Sequence, residues 1–170
     1  FVMAGDHGVV DEGVSAFPRS VTPQMVRNFL AGGAGINVLA RHVGAQVVIV
    51  DCGMAEDLGE IEGLVRKRVG AGTANMALGP AMTRAQAEQS LAVGIEVFEA
   101  ELASGLDIVG TGEMGIGNTT PSSAITAVLT GRDPAEVTGR GTGIDDRRYG
   151  LKVEAIRRAL RANCPRPDDA

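Results

Sequence analysis

Residues 106–120, LDIVGTGEMGIGNTT, constrain the fold more than any other stretch of the chain. The run 106–109 is short, apolar and β-branched, which predicts a buried strand. Gly110, Gly112, Gly115 and Gly117 come next, and glycines so closely spaced let a backbone turn sharply and approach a ligand. Asn118, Thr119 and Thr120 then offer N-capping side chains, Pro121 suits a first helical turn, and the pattern predicts a helix over 119–130. A strand, a glycine loop and a helix start in this order make an anion site, because unpaired N–H groups and the positive end of the helix dipole face the ligand.

Several readings compete for this loop. Gly110 to Gly115 satisfies G-x-G-x-x-G, the pattern of a dinucleotide site. That pattern alone discriminates weakly in a chain with 24 glycines. It also places Glu113 inside the loop, where a carboxylate would oppose a pyrophosphate. The acid expected on a ribose about 20 residues further on is Asp133, which falls in a turn after a helix instead of at a strand end. A ligand with a phosphate at one end and a neutral or cationic group at the other suits the loop better. A plain glycine turn closing a strand is the structural alternative, and a nucleotide-binding module without catalysis is a further one.

The remainder of the chain alternates strand and helix. Residues 1–5 predict a first strand, with Asp6 and His7 at the carboxy edge where ligands of open α/β sheets bind. Thr22-Pro23 predicts a helix start, and residues 36–42 a second helical piece with Ile36, Leu39, Ala40 and Val43 on one face. Residues 46–51, QVVIVD, read as a strand covered on both faces, and 64–69 as a short edge strand or a surface segment. Thr83 to Gln86 forms a capping box. It opens a helix to about residue 103 whose Leu91, Ile95, Phe98 and Leu102 are expected to pack on the sheet. A second glycine cluster, residues 139–145, precedes a cationic amphipathic helix over 151–162. Lys152 lies in that helix's expected first turn, where a cation opposes the dipole; a surface lysine is the ordinary reading, and a charge misplaced beside a glycine loop and held for an anion is the alternative. The order βαβ with further helices predicts an α/β fold.

Composition excludes several classes. The core is aliphatic, since hydrophobic residues make up 44% of the 170 but aromatic ones only 3%. A net charge of −5 without a long basic run argues against a nucleic-acid partner. No apolar run approaches a membrane span. Cys52 and Cys164 lack metal-type spacing and imply a reducing, cytoplasmic setting. The chain starts at Phe1 inside a strand and ends in PRPDDA, so it reads as an incomplete nucleotide- and base-binding domain over 1–162 with a linker over 163–170.

Four stretches together, residues 4–22 (AGDHGVVDEGVSAFPRSVT), 79–88 (GPAMTRAQAE), 112–120 (GEMGIGNTT) and 139–145 (GRGTGID), resemble the nicotinate-nucleotide:dimethylbenzimidazole phosphoribosyltransferases of cobalamin biosynthesis. The resemblance implies a Rossmann-like parallel sheet flanked by helices. It also implies a smaller helical domain built from both chain ends, largely missing here, and a homodimer. The implied reaction moves the 5-phosphoribosyl group of nicotinate mononucleotide to 5,6-dimethylbenzimidazole, with no metal or redox cofactor. By the same resemblance, Gly115, Ile116, Gly117, Asn118 and Thr119 cradle the ribose phosphate, Lys152 neutralises it, and Glu113 is an active-site carboxylate. Phe17, Gln24 and Met25 match one wall of the benzimidazole pocket, while from spacing alone core packing explains Phe17 and Met25 equally well. The family's general base is a glutamate expected beyond residue 170.

Overall fold

The computed structural model describes residues 1–168. The chain divides into two compact units, one from Phe1–Asp6, Ser20–Gly72 and Met82–Gly115, the other from His7–Arg19, Thr73–Ala81 and the residues from Ile116 on.

The first unit is a parallel four-stranded sheet with helices on both faces. Its strands are β1 (Val2–Gly5), β2 (Ile49–Gly53), β3 (Leu64–Arg66) and β4 (Gly112–Met114), in the order β3-β2-β1-β4. All three neighbouring pairs are parallel, with Val2 opposite Ile49 and Gly112, and Ile49 opposite Leu64. Side chains alternate across the sheet. Val2, Ala4, Ile49 and Leu64 therefore face one way and pack with Val26 of helix α1 (Val21–Leu30), while Val50 faces the other way onto Val93 and Val97 of helix α3 (Arg84–Leu102). Helix α2 (Gly35–Val43) lies between α1 and β2 in the chain.

Two sequence expectations fail in this unit for identifiable reasons. Residues 106–109 form no strand, and Ile108 is 88% exposed. The strand instead comprises Gly112, Glu113 and Met114, within the expected loop. At Gly112 a Cβ would lie 3.0 Å from the Phe1 carbonyl oxygen, so the close approach to β1 favours glycine over the branched residues before it. In α3 the capping box forms as expected, with Thr83 and Gln86 bonding each other's backbone. The expected apolar stripe, however, faces outward: Leu91 is 72% and Ile95 58% exposed, whereas Val93 and Val97 are buried. The helix carries two apolar stripes, and the one holding Val93 and Val97 is the one packed against Val50.

The second unit is helical: a 3₁₀ turn (Gly8–Glu12), α4 (Thr119–Thr130), α5 (Pro134–Val137) and α6 (Asp146–Asn163). Val9, Val14 and Met76 pack with Ala124 of α4 and with Ala155, Ile156 and Ala159 of α6. Helix α6 starts five residues before its expected first residue because Asp145 caps it, accepting from the Arg148 amide at 2.7 Å. Lys152 consequently stands in the second turn, further from the dipole end than the sequence implied. Glu12 links this unit internally, accepting from Asn75 Nδ2 at 2.6 Å and pairing with Arg158. The expected connector over 163–170 begins at the last residue of α6, and its final two residues lie outside the described residues.

Candidate functional site

The loop after β4 turns through Gly117, whose φ of +86° lies in the left-handed region, and enters α4 at Thr119. A Cβ on Gly117 would sit 2.5 Å from Val10 Cγ2, so both its dihedral and its neighbours select glycine. Ile116 is buried and anchors the loop. Asn118 takes the N-cap position of α4, but its side chain makes no cap hydrogen bond. Among the first-turn residues Thr120 donates its amide to the Gly117 carbonyl oxygen at 3.0 Å and Pro121 has no N–H, so what this helix start offers an anion is chiefly its positive dipole end.

Lys152 of α6 reaches the same helix start. Its Nζ donates to Thr119 Oγ1 at 2.7 Å and to the Gly139 carbonyl oxygen at 2.9 Å. The residue is 1% exposed, and loss of hydration holds the ammonium below its ordinary pKa of 10.5. Both acceptors are uncharged oxygens, so among the described residues no carboxylate balances this cation. An ammonium has three donors, and two are engaged. The unbalanced charge, the third N–H and the positive dipole end of α4 form one electropositive cluster, and such a cluster can bind a phosphate monoester.

The other sequence-predicted residues belong to other elements. Glu113 is in β4, an edge strand, opposite Met3 of β1. Gly115 follows that strand. Gln24 and Met25 are in the first turns of α1, Gln24 exposed and Met25 half-buried. Phe17 belongs to the second unit and is 46% exposed, its amide donating to Ser15 Oγ at 3.2 Å. Sequence reasoning noted the glycines of 139–145 but gave them no part in the site, whereas Gly139 supplies an acceptor for Lys152.

Two aspartates at the carboxy edge of the sheet differ in their state. Asp51 is saturated: Oδ1 accepts from the amides of Gly53 and Met54 at 3.0 and 2.9 Å, and Oδ2 pairs with Arg68 at 2.8 Å. Asp6 accepts from the Ala55 amide at 2.8 Å through Oδ2, while its buried Oδ1 has no partner among the described residues. Among the described residues no group of three His, Cys, Asp or Glu side chains is arranged to hold a metal ion. Nor is any described helix long and apolar enough to cross a membrane.

A parallel sheet covered by helices, with a glycine turn feeding a helix, defines an α/β protein of the Rossmann-like class. The family model described as Phosphoribosyltransferase matches residues 1–170, and the chain belongs to that family, the nicotinate-nucleotide:dimethylbenzimidazole phosphoribosyltransferases. It is 59% identical over 169 residues to the nicotinate-nucleotide–dimethylbenzimidazole phosphoribosyltransferase of Desulforudis audaxviator, covering 99% of this chain and 48% of that protein. The protein of the same name from Geobacter sulfurreducens matches with the same identity and coverage. Among solved structures, CobT from Thermus thermophilus superposes with a TM-score of 0.91 at 48% identity, over 94% of this chain and 48% of that one. The chain spans about half the length of the curated relatives it matches.

Proposed function

We propose that the protein transfers the 5-phosphoribosyl group of nicotinate mononucleotide to 5,6-dimethylbenzimidazole, giving α-ribazole 5′-phosphate and nicotinate for the lower ligand of cobalamin. The observation that carries this reading is the buried, unbalanced ammonium of Lys152 on Thr119 at the start of α4. It suits the phosphate of a mononucleotide, and the names of the relatives supply the rest of the substrate.

In the proposed reaction a benzimidazole ring nitrogen attacks C1′ of the ribosyl group. The C1′–N bond to the pyridinium breaks, its electron pair returns to that nitrogen, and nicotinate departs. The N–H proton of the new benzimidazolium passes to a general base. Charge at C1′ is positive in the transition state, so a carboxylate stabilises it, and that is the role assigned to Glu113. Gly115, Ile116, Gly117, Asn118, Thr119 and Lys152 hold the phosphate and so fix C1′ for in-line attack. Phe17, Gln24 and Met25 are assigned to the benzimidazole. A cytoplasmic homodimer is part of the reading, and the exposed stripe of Leu91, Ile95 and Leu102 on α3 supports an interface with a further chain.

The test is incubation of the intact protein with nicotinate mononucleotide and 5,6-dimethylbenzimidazole, with product detection by mass spectrometry and NAD as the control ligand in calorimetry. Formation of α-ribazole 5′-phosphate is expected. Preferential binding of NAD with no product would overturn the reading in favour of a dinucleotide site.

A further inference from the structure

The ammonium of Lys152 is held from two sides. Thr119 approaches from α4, and the backbone of the 139–145 loop approaches from the other direction. Gly141, with φ +56°, lies so close that a Cβ there would sit 3.1 Å from Thr119 Oγ1 and 3.7 Å from Lys152 Nζ. The loop therefore covers the charge, and something must keep the loop in place.

Arg140, between those two glycines, does this on the loop's outer side. Its Nη1 donates to the Ile144 carbonyl oxygen at 3.0 Å, Nη2 pairs with Asp146 at 2.5 Å, and its guanidinium carbon lies 5.2 Å from the Tyr149 ring centroid. Its own carbonyl oxygen accepts from the amides of Gly143 and Ile144 at 3.1 and 3.2 Å, closing the turn. Tyr149 is fixed in turn, its hydroxyl donating to the Ala135 carbonyl oxygen at 2.8 Å. One planar side chain thereby ties the loop to the first turn of α6, and Lys152 rises from the next turn of the same helix.

We propose that Arg140 is a positioning residue for substrate phosphate: it straps the 139–145 loop over Lys152, so that the Gly139 carbonyl orients the ammonium and its third N–H toward the phosphate. The inference rests on the proposed function, through the assignment of Lys152 to the phosphate. Lysine cannot replace arginine in this role, because it has neither the fork that spans Ile144 and Asp146 nor the flat face that stacks on Tyr149. Charge and strap are therefore separable by R140K.

The experiment is a double-mutant cycle in the intact protein, with affinity for nicotinate mononucleotide read by calorimetry for wild type, R140K, K152A and the double variant. R140K is expected to lose affinity about tenfold, and to cost nothing further once Lys152 is alanine. NMR titration of the Lys152 ε-position gives an independent readout: a loosened strap readmits water, and the pKa rises toward 10.5. D146N, which removes one partner and keeps the arginine, should shift both readouts the same way by less, and it covers the case in which R140K fails to fold. An equal loss from R140K in both backgrounds, or none in either, overturns the strap while leaving the proposed function standing. An unchanged affinity in K152A overturns both the strap and the phosphate assignment beneath it.

Discussion

Lys152 Nζ and Thr119 Oγ1 meet at 2.7 Å, joining the second turn of α6 to the first residue of α4 around a cation that no carboxylate balances among the described residues. Burying such a charge opposes folding and favours anion binding, so the two properties should separate on mutation. Lys152→Met should leave the ligand-free protein as stable as wild type or more stable. It should weaken nicotinate mononucleotide by about 1.5–3 kcal/mol, the worth of charge-assisted hydrogen bonds. The folded-state pKa of Lys152 is lowered, so the unfolded chain binds more protons between that value and 10.5. Stability contributed at this site therefore rises with pH across that window. The advantage of Lys152→Met should shrink as pH approaches 10.5, which denaturant melts at a series of pH values will measure.

Glu113 belongs to the edge strand β4, with its backbone fixed against Met3. A carboxylate assigned to positive charge at C1′ acts in the transition state more than in the ground state. Glu113→Gln preserves shape and removes the charge. Turnover should fall by about 10²-fold, with the dissociation constant for nicotinate mononucleotide changing by less than about threefold. Steady-state kinetics beside calorimetry distinguishes this from a binding role, which would show the opposite split.

The α/β alternation and the helix after the glycine loop were legible in the sequence because each rests on local chemistry: branched runs, a proline start, a capping box. What was not legible depended on tertiary contact. Residues 106–109 have the composition of a strand, yet pairing with β1 goes to 112–114, where Gly112 allows the backbones to approach. In α3 both Leu91–Ile95 and Val93–Val97 recur at helical spacing, and only contact with Val50 selects the second pair. For the site, Lys152 and Thr119 were both singled out, but 33 residues separate them and no pattern predicts their 2.7 Å bond. The strap formed by Arg140 was invisible for the same reason: its partners Ile144, Asp146 and Tyr149 look like ordinary loop and helix residues.

Glu12 supplies a prediction about acid stability. The hydrogen bond it accepts from Arg158, and then that from Asn75, hold its carboxyl below the ordinary value of 4.5. The folded state thus binds fewer protons than the unfolded state in that range. The stabilisation is fully present above about pH 4.5 and is lost as pH falls through the lowered value. Glu12→Gln should cost about 1–2 kcal/mol at neutral pH, the lower figure reflecting the partial exposure of Arg158. The stability gap to wild type should narrow as pH falls below 4.5 and close once pH has passed through the lowered value, and pH-dependent urea melts of the two proteins check it.

Gly117→Ala tests whether the glycine turn is required by its dihedral, by its neighbours or by both. Alanine at φ +86° costs about 1–2 kcal/mol whatever the space around it. The new Cβ also lies 2.5 Å from Val10 Cγ2, the end of a side chain instead of backbone, so this second part is relievable. Val10→Ala should therefore restore part of the stability lost by Gly117→Ala and never all of it. In a four-protein cycle of thermal melts the coupling between the two sites should be favourable, and the double variant should remain below Val10→Ala by roughly 1–2 kcal/mol, the dihedral cost. Purely additive losses would mean that Val10 gives way freely and that backbone strain alone selects glycine. Affinity for nicotinate mononucleotide should follow the dihedral and not the contact, because the amides after Gly117 are oriented by its φ, so Val10→Ala should not rescue binding in the double variant.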